Sequence, residues 1–265
     1  MPDDIDTSMP HEARVYDYLL GGKDNYAVDR AAGDQILQVT PQMPVWARHN
    51  RAFLNRAVGF VAGQGIDQFL DIGTGLPTVA NTHEAAHRVN PDARVVYVDY
   101  DPIVLAHAQA LLDPGGTTAY IESDLREPAR LLAEAERFLD LARPTAVMLV
   151  AVLHHIRDDE APEEHVRALL DAVPVGSYLV LSHATYDFLD PEDARALHDV
   201  LGSSPMTFRA RTREEIERAF LTGLEVVEPG LVATTDWRIE DGDIGSAPDT
   251  TRAGHWAVVA RKTRA

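Results

Sequence analysis

Short apolar runs alternate with amphipathic segments from residue 67 onward. The apolar runs are nearly continuous, which is typical of strands buried on both faces of a sheet. They occupy residues 67–72, 93–99, 118–122, 145–153 and 177–183. Segments with helical spacing lie between them, near 82–89, 102–112, 127–140 and 163–173. This alternation predicts a parallel sheet with right-handed crossovers and helices on both faces.

The last part of the chain departs from this alternation. A helix is predicted near 212–222, and two apolar runs follow at 224–229 and 255–262. The polar stretch between these runs has no helical pattern. Because a parallel neighbour would need a crossover helix, the last strand is expected to run antiparallel. The sequence therefore predicts an α/β fold with a seven-stranded, mostly parallel sheet and an antiparallel last strand.

The segment before the first strand is predicted to be helical. Apolar spacing indicates helices at roughly 27–38 and 45–62, preceded by a short helix that ends at Gly21. We expect residues 1–66 to form an N-terminal helical cap or lid segment. Residues 67–265 are expected to form the main domain.

Composition and charge narrow the classes of partner. The 265 residues carry a formal net charge of −18, which disfavours nucleic-acid binding because that binding relies on lysine and arginine. Without cysteine there is no disulfide, thiolate nucleophile or cysteine-ligated zinc. The longest apolar run, 146–153, is short for a membrane span, and the first residues do not resemble a signal peptide. We expect a cytoplasmic protein without nucleic-acid or membrane partners; the oligomeric state stays open.

A glycine-rich loop and three acidic residues follow successive strands. Gly73 and Gly75 allow a ligand to approach the backbone after the first strand. Asp99 ends the second strand, where a carboxylate can bind ribose hydroxyls, and Asp124 follows the third, where it can accept an adenine amino group. Asp71 is placed to face a cationic ligand group. Since ligands of open α/β sheets bind at the carboxyl ends of strands, this register predicts a nucleotide-type site.

These motifs resemble a known superfamily. The run Asp71-Ile72-Gly73-Thr74-Gly75, then Asp99, then Asp124-Leu125, resembles the motif series of class I S-adenosylmethionine-dependent methyltransferases. Together with ARVYDYLLGGKDNY (13–26) and residues 81–84, the chain resembles an actinobacterial group of S-adenosyl methyltransferases, first described as a domain of unknown function. The resemblance begins at about residue 12. It implies a Rossmann-like sheet with a reversed last strand and S-adenosyl-L-methionine as cofactor.

The resemblance also implies residue roles. The glycine loop would face the methionine and ribose portions of the cofactor, Asp99 the ribose hydroxyls and Asp124 the adenine amine. Pro77 replaces the third glycine of many members, and a capping box of Asn81 with Glu84 predicts a longer, stiffer loop over 76–81 and a helix from about Thr82. The expected cofactor-binding residues are Gly22, Lys23, Asp71, Gly73, Thr74, Gly75, Asp99, Tyr100, Asp124, Leu125 and Ala151.

The stretch VLHHI (152–156) follows the fourth strand and resembles a Leu-His-His stretch of methyltransferases that act on small molecules. The chain lacks the Asn/Asp-Pro-Pro-Tyr/Phe signature of amino-directed nucleic-acid and protein-glutamine enzymes. Imidazole can deprotonate an acceptor, so His154 and His155 are the candidate catalytic residues. Alternatively, His154 packs against the cofactor and His155 is a structural hydrogen-bonding residue. We expect no metal site with His183, because adjacent histidines on an extended strand point in opposite directions.

The segment before the first strand is expected to close the pocket, because such segments commonly cross the cofactor mouth in this fold class. Trp237 with Arg238 could fold over the acceptor pocket or anchor the surface. The expected substrate and lid residues are Arg14, Tyr16, Tyr26, His154, Tyr186 and Trp237, with Gly22 and Lys23 also near the ligand.

Three functions suit these patterns. The first is methyl transfer from S-adenosylmethionine to an unidentified small-molecule acceptor by in-line displacement. The second is a non-catalytic binder of S-adenosylmethionine or S-adenosylhomocysteine with a sensing or partner role. The third is a NAD-dependent oxidoreductase, although lysines only at 23 and 262 leave no Tyr-x-x-x-Lys pair of a short-chain dehydrogenase.

Overall fold

A computed structural model describes residues 7–77, 81–110, 116–239 and 253–264. Nine α-helices lie in this part of the chain: α1 (Glu12–Leu20), α2 (Ala27–Val39), α3 (Met43–Gly63), α4 (Thr82–His87), α5 (Pro102–Ala110), α6 (Pro128–Ala135), α7 (Pro162–Asp171), α8 (Pro191–Ser203) and α9 (Arg213–Phe220). Two single-turn 3-10 helices, Leu153–His155 and Asp158–Glu160, precede α7. None of the described helices is long and apolar enough to cross a membrane.

One sheet forms the centre of the protein. Its strands are β1 (Gln68–Ile72), β2 (Arg94–Asp99), β3 (Thr118–Glu122), β4 (Ala146–Val150), β5 (Tyr178–Ala184), β6 (Glu225–Val226), β7 (Val232–Ala233) and β8 (His255–Arg261). The order is β3-β2-β1-β4-β5-β8-β6, and β7 also pairs with β8. Strands β1 to β5 pair in parallel, whereas β8 is antiparallel to β5. This confirms the expected α/β, Rossmann-like sheet with an antiparallel last strand.

The sheet has eight described strands instead of the expected seven. The apolar run 224–229 contributes only two residues to β6, because the chain turns at Pro229, which has no amide N–H, and Gly230, which has a φ of 98°. The chain then returns as β7. Both short strands lie along β8, with Val226 opposite Ala260 and Val232 opposite Ala257.

The strands are buried on both faces, as their continuous apolar runs predict. On one face Leu70, Leu149 and Leu181 belong to one apolar cluster. On the other face Phe69 and Val180 share a second cluster with Phe53, Val58 and Val61 of α3. Helix α3 therefore packs on the sheet itself, whereas α1 and α2 pack against α3 and α8. The division of the chain at residue 66 stays a prediction.

The local helix signals have two outcomes. Helix α1 ends at Leu20 and is capped by Gly21, which adopts the left-handed φ of 81°, and α4 begins at Thr82 after the capping box of Asn81 and Glu84. Both expected boundaries are thus confirmed. The rest of the expected stiff loop, 78–80, lies outside the described residues. Helix α8 has no counterpart in the sequence prediction, because most of its turns are polar. Asp190 followed by Pro191 was its only start signal.

Candidate functional site

The carboxyl ends of the parallel strands border a cavity of about 230 Å³. The glycine loop after β1 and the ends of β2 and β3 form one side, and the 3-10 turn after β4 forms another. Helices α1, α2, α3 and α8 complete the wall. The expected site residues that line it are Tyr16, Gly73, Thr74, Gly75, Asp99, Tyr100, Asp124, Leu125, Ala151, His154, His155 and Tyr186.

The glycine loop is shaped by left-handed backbone conformations. Gly73 has a φ of 73° and Gly75 a φ of 65°, which side-chain-bearing residues rarely adopt. A Cβ on Gly73 would lie 2.3 Å from Cγ2 of Val152, whereas a Cβ on Gly75 would meet nothing closer than Ala13 at 4.0 Å. The first glycine is therefore needed for packing, and the second leaves room beside the cavity.

Asp99 holds the loop and faces the cavity. Its Oδ2 accepts a hydrogen bond from the amide of Gly75 at 2.8 Å, and its Oδ1 accepts one from the amide of Asp101 at 3.0 Å. Burial raises the pKa of this carboxyl group, and the two amide donors act in the opposite direction. Each carboxylate oxygen has a second lone pair, so Asp99 can still accept hydrogen bonds from ribose hydroxyls.

The end of β3 offers two polar side chains. Asp124 is bound by Arg126, whose Nη2 and Nε donate to the carboxylate at 2.8 and 2.9 Å, so most of its accepting positions are used. The neighbouring Ser123 was not among the expected residues. It is buried and lines the cavity, and its Oγ has no hydrogen-bond partner among the residues described. Its position directly before Asp124 at a strand end was the signal in the sequence.

Tyr100 connects the end of β2 to the first turn of α1. Its ring centroid lies 5.3 Å from that of His11, and its hydroxyl donates to the carboxylate of Glu12 at 3.3 Å. These contacts place the beginning of α1 over the glycine-loop side of the cavity.

Asp71 does not line the cavity. Its Oδ2 accepts a hydrogen bond from Oγ1 of Thr82 at 2.6 Å, and burial raises its pKa to about 6. The carboxyl group therefore joins the end of β1 to the first turn of α4. Its expected role toward a cationic group has no counterpart in this geometry.

A buried hydrogen-bond chain connects α1 to the sheet. The Tyr16 hydroxyl donates to the carbonyl of Ala47 at 3.1 Å and accepts from Nδ2 of Asn50 at 3.0 Å. Oδ1 of Asn50 accepts from Oγ of Ser182 at 2.5 Å, and Ser182 Oγ accepts from the amide of Ala151 at 3.0 Å. Sequence patterns did not identify Asn50 or Ser182, because an isolated polar residue in a helix or strand carries no motif.

The two candidate catalytic histidines lie in a 3-10 turn, and the extended conformation expected for them is wrong. The strand ends at Val150 because Ala151 has a left-handed φ of 57°. The chain then coils, and the ring centroids of His154 and His155 lie 4.3 Å apart. Both line the cavity, and burial lowers the pKa of each ring, that of His154 well below 6.5.

The ring nitrogens of these histidines have different partners. Nδ1 of His155 lies 2.9 Å from the carbonyl oxygen of Thr207, whereas Nδ1 of His154 lies 3.4 Å from the amide nitrogen of Ala184. His183 is fully buried, and its nitrogens contact Arg211 and a backbone carbonyl. No three histidine, aspartate or glutamate side chains of the described residues are grouped so that they could hold a metal ion.

Four expected ligand residues in the first helical segment lie outside the cavity wall: Arg14, Gly22, Lys23 and Tyr26. Arg14 is buried and pairs with Asp29 of α2 at 3.1 Å, and its guanidinium lies over the ring of Tyr26. Lys23 is exposed.

The loop after α1 is held by Asp17. Its Oδ2 accepts hydrogen bonds from the amide of Asp24 at 3.0 Å and Nδ2 of Asn25 at 2.8 Å. A Cβ on Gly22 would lie 1.9 Å from the same carboxylate, which explains the glycine. Asp17 thus accounts for the Gly-Gly-Lys-Asp-Asn motif as a structural turn.

Trp237 also lies away from the cavity. It is fully buried on the other side of α3, with its ring centroid 5.5 Å from that of Phe53 and 5.8 Å from that of Phe60. Arg238 lies over the same Phe60 ring. The C-terminal segment around Trp237 therefore packs against α3, and neither expected position, over the acceptor pocket or at the surface, describes this fully buried side chain.

Comparisons with known proteins agree with this geometry. A family model described as S-adenosyl methyltransferase matches residues 1–263. A DUF574 family protein from Streptomyces avermitilis is 43% identical, covers 98% of this chain and 100% of its own, and superposes with a TM-score of 0.92. A candidate methyltransferase from Thermobifida fusca is also 43% identical, with coverages of 99% and 98% and a TM-score of 0.90.

More distant structures share the fold. Human N-acetylserotonin methyltransferase in complex with S-adenosylmethionine is 17% identical over 96% of this chain and 64% of its own, with a TM-score of 0.52. No curated protein matches the sequence.

Proposed function

Because the chain belongs to the S-adenosyl methyltransferase family, we propose that it methylates a small-molecule acceptor bound in the cavity beside His154 and His155. As a member of this family the protein is a methyltransferase that uses S-adenosylmethionine. The observation that carries the proposal is the continuity of the cavity. Its wall joins the glycine loop and Asp99 on one side to the histidine turn on the other.

The cofactor fits the glycine-loop side. Gly75 leaves space next to the backbone, Asp99 can accept hydrogen bonds from ribose hydroxyls, and Ser123 has a buried hydroxyl without a partner among the described residues. We assign the adenine amino group to Ser123 together with the remaining accepting position of Asp124. The cofactor supplies an electrophilic methyl group on a sulfonium.

The protein's own contribution is alignment and exclusion of water. Methyl transfer needs the acceptor atom in line with the methyl carbon and the sulfur, so positioning supplies much of the rate. Helix α1 covers the cavity and is held there by the Tyr16 hydrogen-bond chain. A covered cavity of about 230 Å³ and a net charge of −18 favour a small acceptor over a nucleic acid.

Calorimetry with S-adenosylhomocysteine, followed by incubation with methyl-labelled cofactor and cell extract, tests the proposal. Binding together with a labelled small product supports methyl transfer. Binding without any labelled product would instead favour the non-catalytic binder, and binding of NAD alone would favour the oxidoreductase.

The Asp99→Asn variant tests the cofactor assignment. The single amide oxygen can still accept from Gly75 but no longer from Asp101 as well, and the side chain has lost the charge that strengthens hydrogen bonds to hydroxyls, which is worth about 1.5–3 kcal/mol. We expect S-adenosylhomocysteine affinity to fall by about 10- to 100-fold. The exposed Asp92 provides a matched control, and equal affinities in Asp99→Asn and Asp92→Asn would contradict the assignment.

A further inference from the structure

We infer that the methyl acceptor is an uncharged aromatic hydroxy compound, and that His155 accepts its hydroxyl proton while His154 does not. This inference rests on the proposed function and adds the acceptor class and the distribution of roles between the two histidines.

The helical side of the cavity is apolar. Leu19 of α1, Ile36 of α2, Trp46 of α3 and Leu197 and Leu201 of α8 form one buried cluster, and all five line the cavity. Residues so distant in the chain meet here because α1, α2, α3 and α8 pack together beyond the strand ends. This wall favours an apolar ligand, since contact with it removes apolar surface from water.

Aromatic and thioether groups continue this wall toward the histidines. The ring centroid of Phe208 lies 5.2 Å from that of His154 and 6.4 Å from that of His155. Tyr186 and Met206 pack against the same cluster. Flat faces and a polarisable sulfur suit an aromatic ring.

No charged residue of the described cavity wall belongs to this apolar side. The charged lining residues lie around the glycine loop and the ends of β2 and β3: Glu12, Arg51, Asp99, Asp124 and Arg126. Of these, Glu12 is near enough to His155 to act against the lowering of its pKa by burial. Burial keeps the nearby ionisable groups neutral, because it lowers the pKa of both histidines and raises that of Tyr186 to about 12. An anionic acceptor would therefore lose its hydration without gaining a cationic partner, and a cationic acceptor would find no anionic partner here other than Glu12.

Two buried polar atoms on this side of the cavity have no hydrogen-bond partner among the described residues. Nε1 of Trp46 and Nδ1 of His255 belong to residues that are 2% and 6% exposed, and neither atom has a hydrogen-bond partner within the described ranges. Both residues line the cavity. An indole N–H can only donate, so the acceptor is expected to carry an oxygen that accepts.

The hydrogen bonds of the histidines distinguish their roles. A carbonyl oxygen can only accept, so Nδ1 of His155 carries the proton toward Thr207 and Nε2 of the neutral ring has a free lone pair. A backbone amide can only donate, so Nδ1 of His154 is the acceptor toward Ala184 and its Nε2 carries the proton. His155 is thus prepared to accept a proton, and His154 to donate a hydrogen bond.

The resulting step is balanced. The acceptor hydroxyl gives its proton to Nε2 of His155, and the acceptor oxygen bonds to the methyl carbon. The bond between that carbon and sulfur breaks, and its electron pair stays on sulfur. The products are a methyl ether, S-adenosylhomocysteine and an imidazolium ring on His155, which then returns its proton to water.

Equilibrium dialysis with four naphthalene probes tests the acceptor class on the full chain. We expect 2-naphthol to bind about fivefold more tightly than naphthalene, because the hydroxyl gains one hydrogen bond. The anion 2-naphthoate and the cation 2-naphthylmethylammonium are expected to bind at least about tenfold more weakly than 2-naphthol. Equal or tighter binding of either ion, or no probe binding by protein that binds S-adenosylhomocysteine, would overturn the acceptor class.

Two asparagine variants test the distribution of roles. In His155→Asn the amide can keep the hydrogen bond to Thr207 but offers no basic lone pair, and in His154→Asn the amide oxygen can keep the bond from Ala184. The preference for 2-naphthol over naphthalene should be smaller in His155→Asn, where only the N–H of Trp46 is left to bind the hydroxyl oxygen, and should persist unchanged in His154→Asn. The opposite pattern would overturn the assignment.

Affinity for S-adenosylhomocysteine, measured by calorimetry on the same samples, should stay within about twofold of the unmodified protein in both variants, because neither replacement alters the glycine-loop side. If the unmodified protein does not bind S-adenosylhomocysteine, the proposed function fails. If the protein binds S-adenosylhomocysteine but binds the four naphthalene probes equally well, only the acceptor inference fails.

Discussion

The hydroxyl of Tyr16 is predicted to stabilise the attachment of α1 over the cavity. In Tyr16→Phe, Nδ2 of Asn50 loses its acceptor while it stays buried, and the carbonyl of Ala47 loses a donor. A buried group without a partner costs about 1–3 kcal/mol, so we expect a loss of about 2 kcal/mol in the free energy of unfolding. For a chain of this size the melting temperature should fall by about 4–8 °C.

Tyr18→Phe is the matched control on the same helix. Its hydroxyl donates to Asp34 at 2.6 Å on the protein surface, where water replaces the lost partner. We therefore expect no resolvable change in the urea midpoint. Urea unfolding of both variants gives the comparison, since an unchanged slope shows that the midpoint reports stability alone.

A double-mutant cycle with Asn50→Ala separates the hydrogen bond from other effects. If Tyr16 acts through Asn50, the two substitutions should be coupled by about 0.5–3 kcal/mol. The reasoning would be refuted by additive effects, or by a Tyr16→Phe protein as stable as Tyr18→Phe.

Two further predictions concern the loop and the pH dependence of stability. Gly73→Ala should destabilise the protein and abolish S-adenosylhomocysteine binding in calorimetry, because the added Cβ would lie 2.3 Å from the side chain of Val152 and the backbone is left-handed there. Gly63→Ala is the control, since a Cβ at that position has no atom within 4 Å, and it should neither destabilise the protein nor weaken binding. Burial lowers the pKa of His183 to about 3 and of His255 to about 4, so the unfolded chain binds more protons below pH 6.5. Their stabilisation is fully present above pH 6.5 and is lost as pH falls, by up to about 1.4 kcal/mol per histidine per pH unit. Asp71, with a pKa raised to about 6, acts in the opposite direction below pH 6, because the folded protein then binds more protons at this carboxyl group than the unfolded chain does. The urea midpoint should therefore fall from pH 7 to pH 5, but less steeply than the two histidines alone would cause. A midpoint that rises over this range would contradict the prediction.

The residues of helix α1 face two different surroundings, the cavity on one side and α2 with the following loop on the other. Val15, Tyr16 and Leu19 line the cavity, as a lid requires. Arg14 and Asp17 are buried against α2 and the loop that follows α1. The motif alone predicted proximity to a ligand for both Tyr16 and Arg14, because the helical period defines faces but does not say what each face meets.

For the acidic residues of the site, the sequence likewise predicted the position in the fold but not the hydrogen-bond partners. Asp99 lies where its position after the second strand predicted, beside the glycine loop. Asp71 and Asp124 follow strands equally well, yet one is hydrogen-bonded to Thr82 and the other to Arg126. Strand ends determine where the backbone arrives, whereas the side-chain partners depend on which neighbours pack there.

Local patterns in the chain predicted β1 to β5, the reversed last strand, the glycine loop and the ends of α1 and α4, but not the separation of β6 and β7. These features depend on local periodicity, on glycine conformation and on hydrogen bonds that span few residues. Long-range packing established that α8 joins the apolar wall, that Trp237 is buried behind α3, and that Nδ1 of His155 is hydrogen-bonded to the carbonyl of Thr207. Local patterns do not encode these features, because burial and hydrogen-bond partners come from residues far apart in the chain, such as Thr207 for His155.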